Sequence, residues 1–213
     1  MGTRDRIIQA SVELFNRRGV RSVTTNHIAA HLSISPGNLY YHFRNKEEII
    51  RSIFPRIAEA ARAALALPQG RPVVAEDVGR CHLRGLAGLW EFRFFFRDLH
   101  ELLARDSTLA KSYRELQGWL IQEFSVLFDR MIAQGEMSPP DPPSDLERIA
   151  TNASMLWTSW INFVATLRRS EIRPSDIVDG ALQGFLGIAP YLDRDFAREV
   201  RAAILMQSGE GRS

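Results

Sequence analysis

Several features are scarce or missing in this chain of 213 residues, and each absence narrows the class of protein. Cys81 is the single cysteine, so no internal disulfide can form and a reducing compartment is indicated. No uninterrupted apolar run is long enough to cross a bilayer. Neither a glycine-rich phosphate loop nor a Gly-x-Ser-x-Gly motif occurs. We therefore expect a cytoplasmic protein with no membrane partner.

Strand-like alternation of apolar and polar residues is also missing, whereas apolar residues recur at helical spacing. The pattern predicts an all-α fold with a proline-rich extended loop at 138–143. Two short helices are expected at 24–32 and 35–43, and a third short one near 98–105. Longer helices are expected near 3–18, 46–67, 74–96, 108–135, 144–169 and 175–192, and a charged helix shortly before 208. Pro55 falls inside one of them and indicates either a tolerated kink or a hinge.

The two short helices have the pattern of a helix-turn-helix that binds duplex DNA. Thr24 or Thr25 can cap the first helix, and Ser35 can cap the second, where Pro36 takes the first position. Leu39 and Phe43 share one face of the second helix and are expected to be buried. The opposite faces present polar and aromatic groups to the major groove.

Charge placement favours DNA as the partner. Residues 1–56 carry nine Lys and Arg against four Asp and Glu, a net charge of +5, whereas the remainder carries 18 against 21, a net charge of −3. Basic charge is therefore concentrated beside the motif, as phosphate neutralisation requires. Two alternatives remain open, because helix pairs of this kind also occur in helical protein-interaction modules and in helical enzymes.

The segment from Ile7 to Ile53 resembles the N-terminal domain of TetR-family transcriptional regulators. The resemblance rests on residues of the first helix, on the Thr24-Thr25 cap and on the pattern Leu39-Tyr40-x-His42-Phe43-x-x-Lys46. It implies a three-helix DNA-binding domain over 1–48 and a helical regulatory and dimerisation domain over 49–207. The residues after the last predicted helix, 208–213, are expected to form a disordered tail. The resemblance also implies a ligand-responsive repressor and not an enzyme.

The resemblance further implies three kinds of DNA contact. Thr25 and Asn26 match positions that meet the DNA backbone or an adjacent base. The base-facing positions are matched by Pro36, Gly37, Asn38 and Tyr41. The phosphate-contacting positions are matched by Tyr40, His42 and Lys46. The residues agree in part, since asparagine can pair with adenine and glycine lets the helix backbone approach the groove.

A palindromic DNA site would require a dimer, because one recognition helix reads too few base pairs for useful affinity. Helices 144–169 and 175–192 carry apolar residues on more than one face, which favours a second partner surface over a deep monomer core. The resemblance implies a four-helix bundle between two copies. The predicted interface residues are Ile149, Ala153, Trp160, Phe185 and Ile188.

The regulatory part is rich in large aromatic rings, which form either an ordinary core or the lining of an apolar pocket. The candidate pocket residues are Trp90, Phe94, Phe95, Trp119, Phe124, Trp157 and Trp160. Such a lining would suit a small apolar effector, either fatty-acyl-like or aromatic. The run 91–99 is also similar to a segment of polyhydroxyalkanoate regulators within the family, which favours the acyl class.

We expect no cofactor and no metal ion. His27 and His31 are four residues apart on a helix, but no third ligand is near them in the sequence, so a solvated or DNA-facing pair is favoured. Cys81 and His82, with His100, have the residue types of a metal or redox site. A buried thiol is the favoured interpretation of Cys81.

Overall fold

A computed structural model describes residues 2–168, 173 and 175–207 of the chain. The predicted disordered tail, 208–213, and the predicted helix end at Arg169 lie outside the described residues. Within these ranges the chain is helical, with one isolated β-bridge between Met137 and Leu192, so the predicted all-α fold class is confirmed.

The α-helices run in the order α1 (Thr3–Arg18), α2 (Thr25–His31), α3 (Pro36–His42), α4 (Lys46–Ala64), α5 (Ala75–Glu91), α6 (Arg93–Arg97), α7 (Leu99–Arg105), α8 (Ser107–Gln134), α9 (Leu146–Arg168), α10 (Ser175–Leu186) and α11 (Arg194–Gln207). Single 3₁₀ turns at Pro143–Asp145 and Ala189–Tyr191 precede α9 and α11. The helix predicted over 175–192 therefore ends early, at Leu186. Gly187 follows it, and Pro190 cannot continue an α-helix.

The chain forms two compact units. The first contains the residues up to Glu59 together with Phe92–Tyr113, and it holds the helix-turn-helix. The second contains Ala60–Glu91 and the described residues from Arg114 onward. In the second unit α5 packs against α9, α10 and α11.

The continuous helix predicted over 74–96 is broken at Phe92, whose backbone has φ −107° and ψ 31°. After the break, α6 lies in the core of the first unit. There Phe94 lies 5.2 Å from the ring of Phe15, and Phe95 lies 5.7 Å from that of Phe54. Residues 94, 95 and 96 are all buried within α6.

Pro55 is exposed and lies inside α4, which continues on both sides of it from Lys46 to Ala64. The boundary between the two compact units falls four residues further on, between Glu59 and Ala60. Kink and hinge both remain predictions for this proline.

Candidate nucleic-acid interface

Both helices of the predicted motif begin at side-chain caps. The Thr24 hydroxyl accepts a hydrogen bond from the His27 amide at 3.2 Å, and His27 Nδ1 accepts one from the Thr24 amide at 3.3 Å. This is a reciprocal capping box with histidine in the usual place of Glu or Gln. Ser35 Oγ accepts from the Asn38 amide at 3.2 Å and so caps α3, with Pro36 at the first position as predicted.

The turn between α2 and α3 contains Ser33 with a φ of 55°, in the left-handed region that favours glycine. Its amide donates to Ala30 O at 3.1 Å, and the amide of Ile34 donates to Ala29 O at 3.0 Å. These bonds hold the turn tight despite the unfavourable backbone conformation of a serine. The turn therefore fixes the direction in which α3 leaves α2.

One face of α3 is anchored in the core and the other is open. Leu39 on α3 and Phe43, the residue directly after the helix, have 0% and 1% exposed surface, so both are buried as predicted. The side chain of Tyr41 is 86% exposed, and Asn38 is also exposed. The helix can therefore present its polar face to a groove without losing its hydrophobic support.

The nine predicted DNA-contacting residues lie in and beside this open face. The exposed members are Asn26, Pro36, Gly37, Asn38, Tyr40 and Tyr41. The half-buried members are Thr25, His42 and Lys46. The structure brings two of them into direct contact, since Thr25 Oγ1 and the Tyr40 hydroxyl share a hydrogen bond of 3.1 Å. That bond ties the start of α2 to the middle of α3.

Lys46, one of the predicted phosphate contacts, also forms hydrogen bonds within the protein. Its ammonium donates to the carbonyl oxygens of Val20 at 2.6 Å and Val23 at 3.0 Å, in the loop that leads into α2. Two of its three donors are therefore used inside the protein. The sequence interpretation treated Lys46 only as a cation for DNA and missed this bracing of the loop.

Residues far along the chain also support the DNA-binding unit and were missed by the sequence analysis. Asp98 Oδ2 accepts from the Val20 amide at 3.3 Å, and Glu101 Oε2 accepts from Arg21 Nε at 2.6 Å. The interacting residues are separated by about eighty positions, so no local pattern could have revealed the pairs. Asp106 is buried beside Arg51, and its pKa is lowered because hydrogen bonds from the Leu109 amide and Arg51 outweigh the cost of burial.

The seven candidate pocket residues fall into three groups. Phe94 and Phe95 lie in the core of the first unit and not in the second unit. Phe124 and Trp157 are buried in the second unit, with their rings edge to face at 5.0 Å. The half-buried members are Trp90, Trp119 and Trp160. The aromatic residues thus belong to two separate cores.

The predicted dimer residues are mostly turned inward. Ile149, Ala153, Phe185 and Ile188 have 1–6% exposed surface within one protomer, and only Trp160 is half-buried. The exposed large apolar side chains of α9 and α10 are instead Met155, Leu156, Phe163, Leu167 and Leu186. Both helices have two apolar faces, and the periodicity did not tell which one belongs to the core.

Metal-ligating side chains are not clustered in the part of the chain that the structure describes, where no group of three or more was found. Nδ1 of His27 is engaged with the Thr24 amide, and Nε2 of His31 lies 3.7 Å from Glu13. Cys81 is buried, which raises the pKa of its thiol to about 12. Among the same residues, no helix has both the length and the apolar character needed to span a bilayer.

Comparison with known proteins gives the same picture along the whole chain. A family model described as bacterial regulatory proteins, tetR family, matches residues 7–53, and one described as bacterial transcriptional repressor matches residues 56–200. A solved TetR-family transcriptional regulator from Marinobacter aquaeolei VT8 is 36% identical, with a TM-score of 0.85 over the full length of both chains.

Curated relatives match at the DNA-binding end. The transcriptional regulator UidR of Escherichia coli K12 is 39% identical over 66 residues, which are 31% of this chain and 34% of UidR. QacR of Staphylococcus aureus Mu50 is 40% identical over 53 residues, 25% of this chain and 28% of QacR. The alignments thus span about a third or less of these curated relatives. The two family models cover both the helix-turn-helix and the helical remainder, so the chain belongs to the TetR family of bacterial transcriptional regulators, which are not enzymes.

Proposed function

We propose that the protein is a repressor that binds a palindromic operator as a homodimer and leaves it when a small apolar effector binds. The DNA-binding part of this proposal is supported by the contrast between the buried and the exposed side of α3. Leu39 and Phe43 are buried, while Asn38 and Tyr41 are free to meet DNA. A recognition helix needs this combination of a rigid anchor and an accessible polar face.

We assign base reading to the N-terminal half of α3. Asn38 can donate to N7 and accept from N6 of adenine in the major groove, and the exposed Gly37 allows close approach of the helix. No arginine occurs in Pro36–His42, so the commonest guanine contact is missing there. We therefore expect thymine methyl contacts and DNA shape to contribute to specificity.

Phosphate contacts are assigned to Thr25, Tyr40 and His42, beside the groove-facing residues. The hydroxyl pair of Thr25 and Tyr40 keeps both groups at 3.1 Å, so that either can donate to a phosphate oxygen. Lys46 has one ammonium hydrogen left after its two carbonyl bonds and can still serve as a positive charge for the DNA backbone.

Dimerisation is assigned to the outer face of α9 and α10. Five large apolar side chains are exposed there, among them Phe163 at 53% and Leu167 at 67%. Three of them, Met155, Leu156 and Phe163, border an open groove that is also lined by Asn152, Ser159, Trp160, Gln183 and Gly187. An exposed apolar surface of this kind is costly in a monomer and typical of an interface. The inward-facing Ile149, Ala153, Phe185 and Ile188 would then support the interface from behind.

The effector site is assigned to the second unit, since it contains Trp90, Trp119, Phe124, Trp157 and Trp160. The predicted division into a DNA-binding domain, 1–48, and a regulatory domain, 49–207, stays part of the proposal, as do cytoplasmic location and the acyl or aromatic class of effector. Thermal-shift and tryptophan-fluorescence screens with acyl compounds and aromatic drugs distinguish the two effector classes.

DNA recognition is tested by selecting duplexes from a random-sequence library with the purified protein. A regulator is expected to enrich a palindrome and to lose affinity steeply as salt rises, whereas an interaction module would enrich nothing. Replacing Asn38 by Ala is expected to lower the affinity for the selected duplex by about tenfold or more, because one bidentate base contact is lost. Gln122→Ala, at an exposed amide of α8, is the matched control. Undiminished binding by Asn38→Ala would remove this residue from the base-reading set.

A further inference from the structure

The loop between α1 and α2 is held by side chains that come from a distant part of the sequence. The loop covers residues 19–24 and ends at Thr24, the N-cap of α2. Its backbone contributes the Val20 amide and the carbonyls of Val20 and Val23, and all three are hydrogen-bonded by side chains. A loop tied in this way has little freedom to change the position of the helix that follows it.

The acidic members of this arrangement lie at the start of α7 and just before it. Asp98 accepts from the Val20 amide, and Glu101 accepts from Arg21 in the same loop. Arg105 binds the second oxygen of Glu101 at 2.8 Å and keeps the carboxylate in place. The pKa of the Glu101 carboxyl is lowered chiefly by the hydrogen bond from Arg21, with further contributions from Arg105 and Lys46.

Residues of the same segment also form hydrogen bonds with the end of α1. Arg97 donates to the carbonyl of Phe15 at 3.2 Å, and Asn16 Oδ1 accepts from the Phe94 amide at 3.0 Å. The segment 93–105 therefore contacts the last turn of α1 and the loop after it. We refer to Asp98, Glu101 and Lys46 together as the loop clamp.

The cleft between these charged groups is too small for an effector. Its volume is about 30 Å³, and its lining includes Val20, Arg21, Lys46, Asp98, Glu101 and Arg105. That is room for about one water molecule. The charges therefore act on one another and on the loop backbone and do not form a ligand site.

We propose that Asp98 and Glu101 are positioning residues for DNA recognition, because the loop clamp fixes the entry of α2 and, through it, the orientation of α3. The helices follow in direct succession, with α1 packed on α2 and α2 packed on α3. A displacement of the loop would therefore move Thr25 and the recognition helix together. The proposal rests on the proposed DNA-binding function.

Electrostatic attraction and positioning predict opposite changes in DNA affinity for the same substitution. Replacing Glu101 by Ala removes a negative charge from the DNA-binding unit, so simple attraction to phosphate predicts equal or tighter binding. The loop clamp predicts weaker binding to a sequence-selected duplex, by about two- to fivefold, the effect of losing one largely exposed ion pair. Binding to a scrambled duplex of the same length should stay equal or rise, because it does not depend on the exact orientation of α3.

The experiment compares full-length wild type with Glu101→Ala, Arg21→Ala and the double variant, using a duplex selected by the wild type. The double variant should bind no more weakly than the weaker single variant, since both substitutions remove the same bond. Arg21→Ala should keep the slope of log affinity against log salt, because its role is in the loop and not on a phosphate. Asp195→Ala, which breaks the exposed pair with Arg198 in the second unit, is the control for a lost ion pair.

The outcomes separate the loop clamp from the function on which it rests. A wild type that selects no duplex overturns both. A wild type that binds its duplex, with Glu101→Ala binding it equally or more tightly, overturns the clamp alone. Additive losses in the double variant, or a lower salt slope in Arg21→Ala, also contradict the clamp. Unchanged melting temperature and circular dichroism in Glu101→Ala, together with the selective loss of specific binding, support positioning over a general structural role.

Discussion

The indole N–H of Trp157 donates a hydrogen bond of 3.0 Å to Nδ1 of His82 in the interior of the second unit. The two rings meet edge to face at 5.7 Å, and both residues are buried. The pair connects α5 to α9 through a polar bond within an apolar core. Because Nδ1 is the acceptor, the imidazole is neutral with its proton on Nε2.

His82 makes the stability of the protein depend on pH. Burial lowers the pKa of its imidazole to about 4, whereas an unfolded chain titrates near pH 6.5. As the pH falls below about 6.5, the unfolded state takes up a proton that the folded state refuses, so stability decreases until about pH 4. We expect a loss of about 2 kcal/mol between pH 7 and pH 5 in urea unfolding experiments.

The control for this prediction is His82→Gln, which keeps a hydrogen-bond acceptor for Trp157 but does not titrate. The variant should be less stable at neutral pH and should show a much flatter dependence between pH 7 and pH 5. An equally steep decline in the variant would show that another group carries the effect.

Two glycines of the second unit should respond in opposite ways to the same substitution. A Cβ at Gly85 would lie 2.2 Å from Trp157, whereas a Cβ at Gly118 would meet nothing within 4 Å. We expect Gly85→Ala to destabilise the protein by roughly 1–3 kcal/mol, because the indole must move. Gly118→Ala, inside α8, should stabilise it by about 0.5–1 kcal/mol through helix propensity. Chemical denaturation measures both, and a neutral Gly85→Ala would show that the indole has room to shift.

Local patterns predicted most of the DNA-binding unit, and long-range packing accounts for what they missed. The caps at Thr24 and Ser35 and the burial of Leu39 and Phe43 follow from residue type and spacing within a dozen positions. The break at Phe92 does not, because it depends on partners more than thirty residues away in α1 and α4.

In the candidate sites, too, local patterns did not reveal the long-range contacts. The exposure of the α3 residues predicted to face the bases follows from the motif itself. The loop-bracing roles of Lys46, Asp98 and Glu101 depend on contacts across 23 to 80 positions. On α9, apolar residues cover two faces, and periodicity alone gave no reason to choose Phe163 over Ile149 as the exposed one.

Ser33 is predicted to be a site where glycine is better than the natural residue. Its φ of 55° is strained for a side chain with a Cβ, and the residue is exposed. Ser33→Gly should raise the free energy of unfolding by about 0.5–1 kcal/mol after the entropic cost of glycine is included. Ser33→Val should lower it, because a β-branched residue adopts this conformation poorly. Equal melting temperatures for the two variants would contradict a left-handed turn at this position.

The outer face of α9 and α10 is predicted to hold the dimer together. Phe163 is 53% exposed, and its ring lies 5.7 Å from that of Trp160 at the edge of the groove. Phe163→Asp would place a charge in a desolvated interface and should convert the dimer to a folded monomer at micromolar concentration, as measured by light scattering. Operator affinity should fall by about a hundredfold or more, because the two half-sites are no longer bound together. Val126→Asp is the matched control, since Val126 is 44% exposed but lies on α8. A dimeric Phe163→Asp, or a monomeric Val126→Asp, would place the interface elsewhere on the molecule.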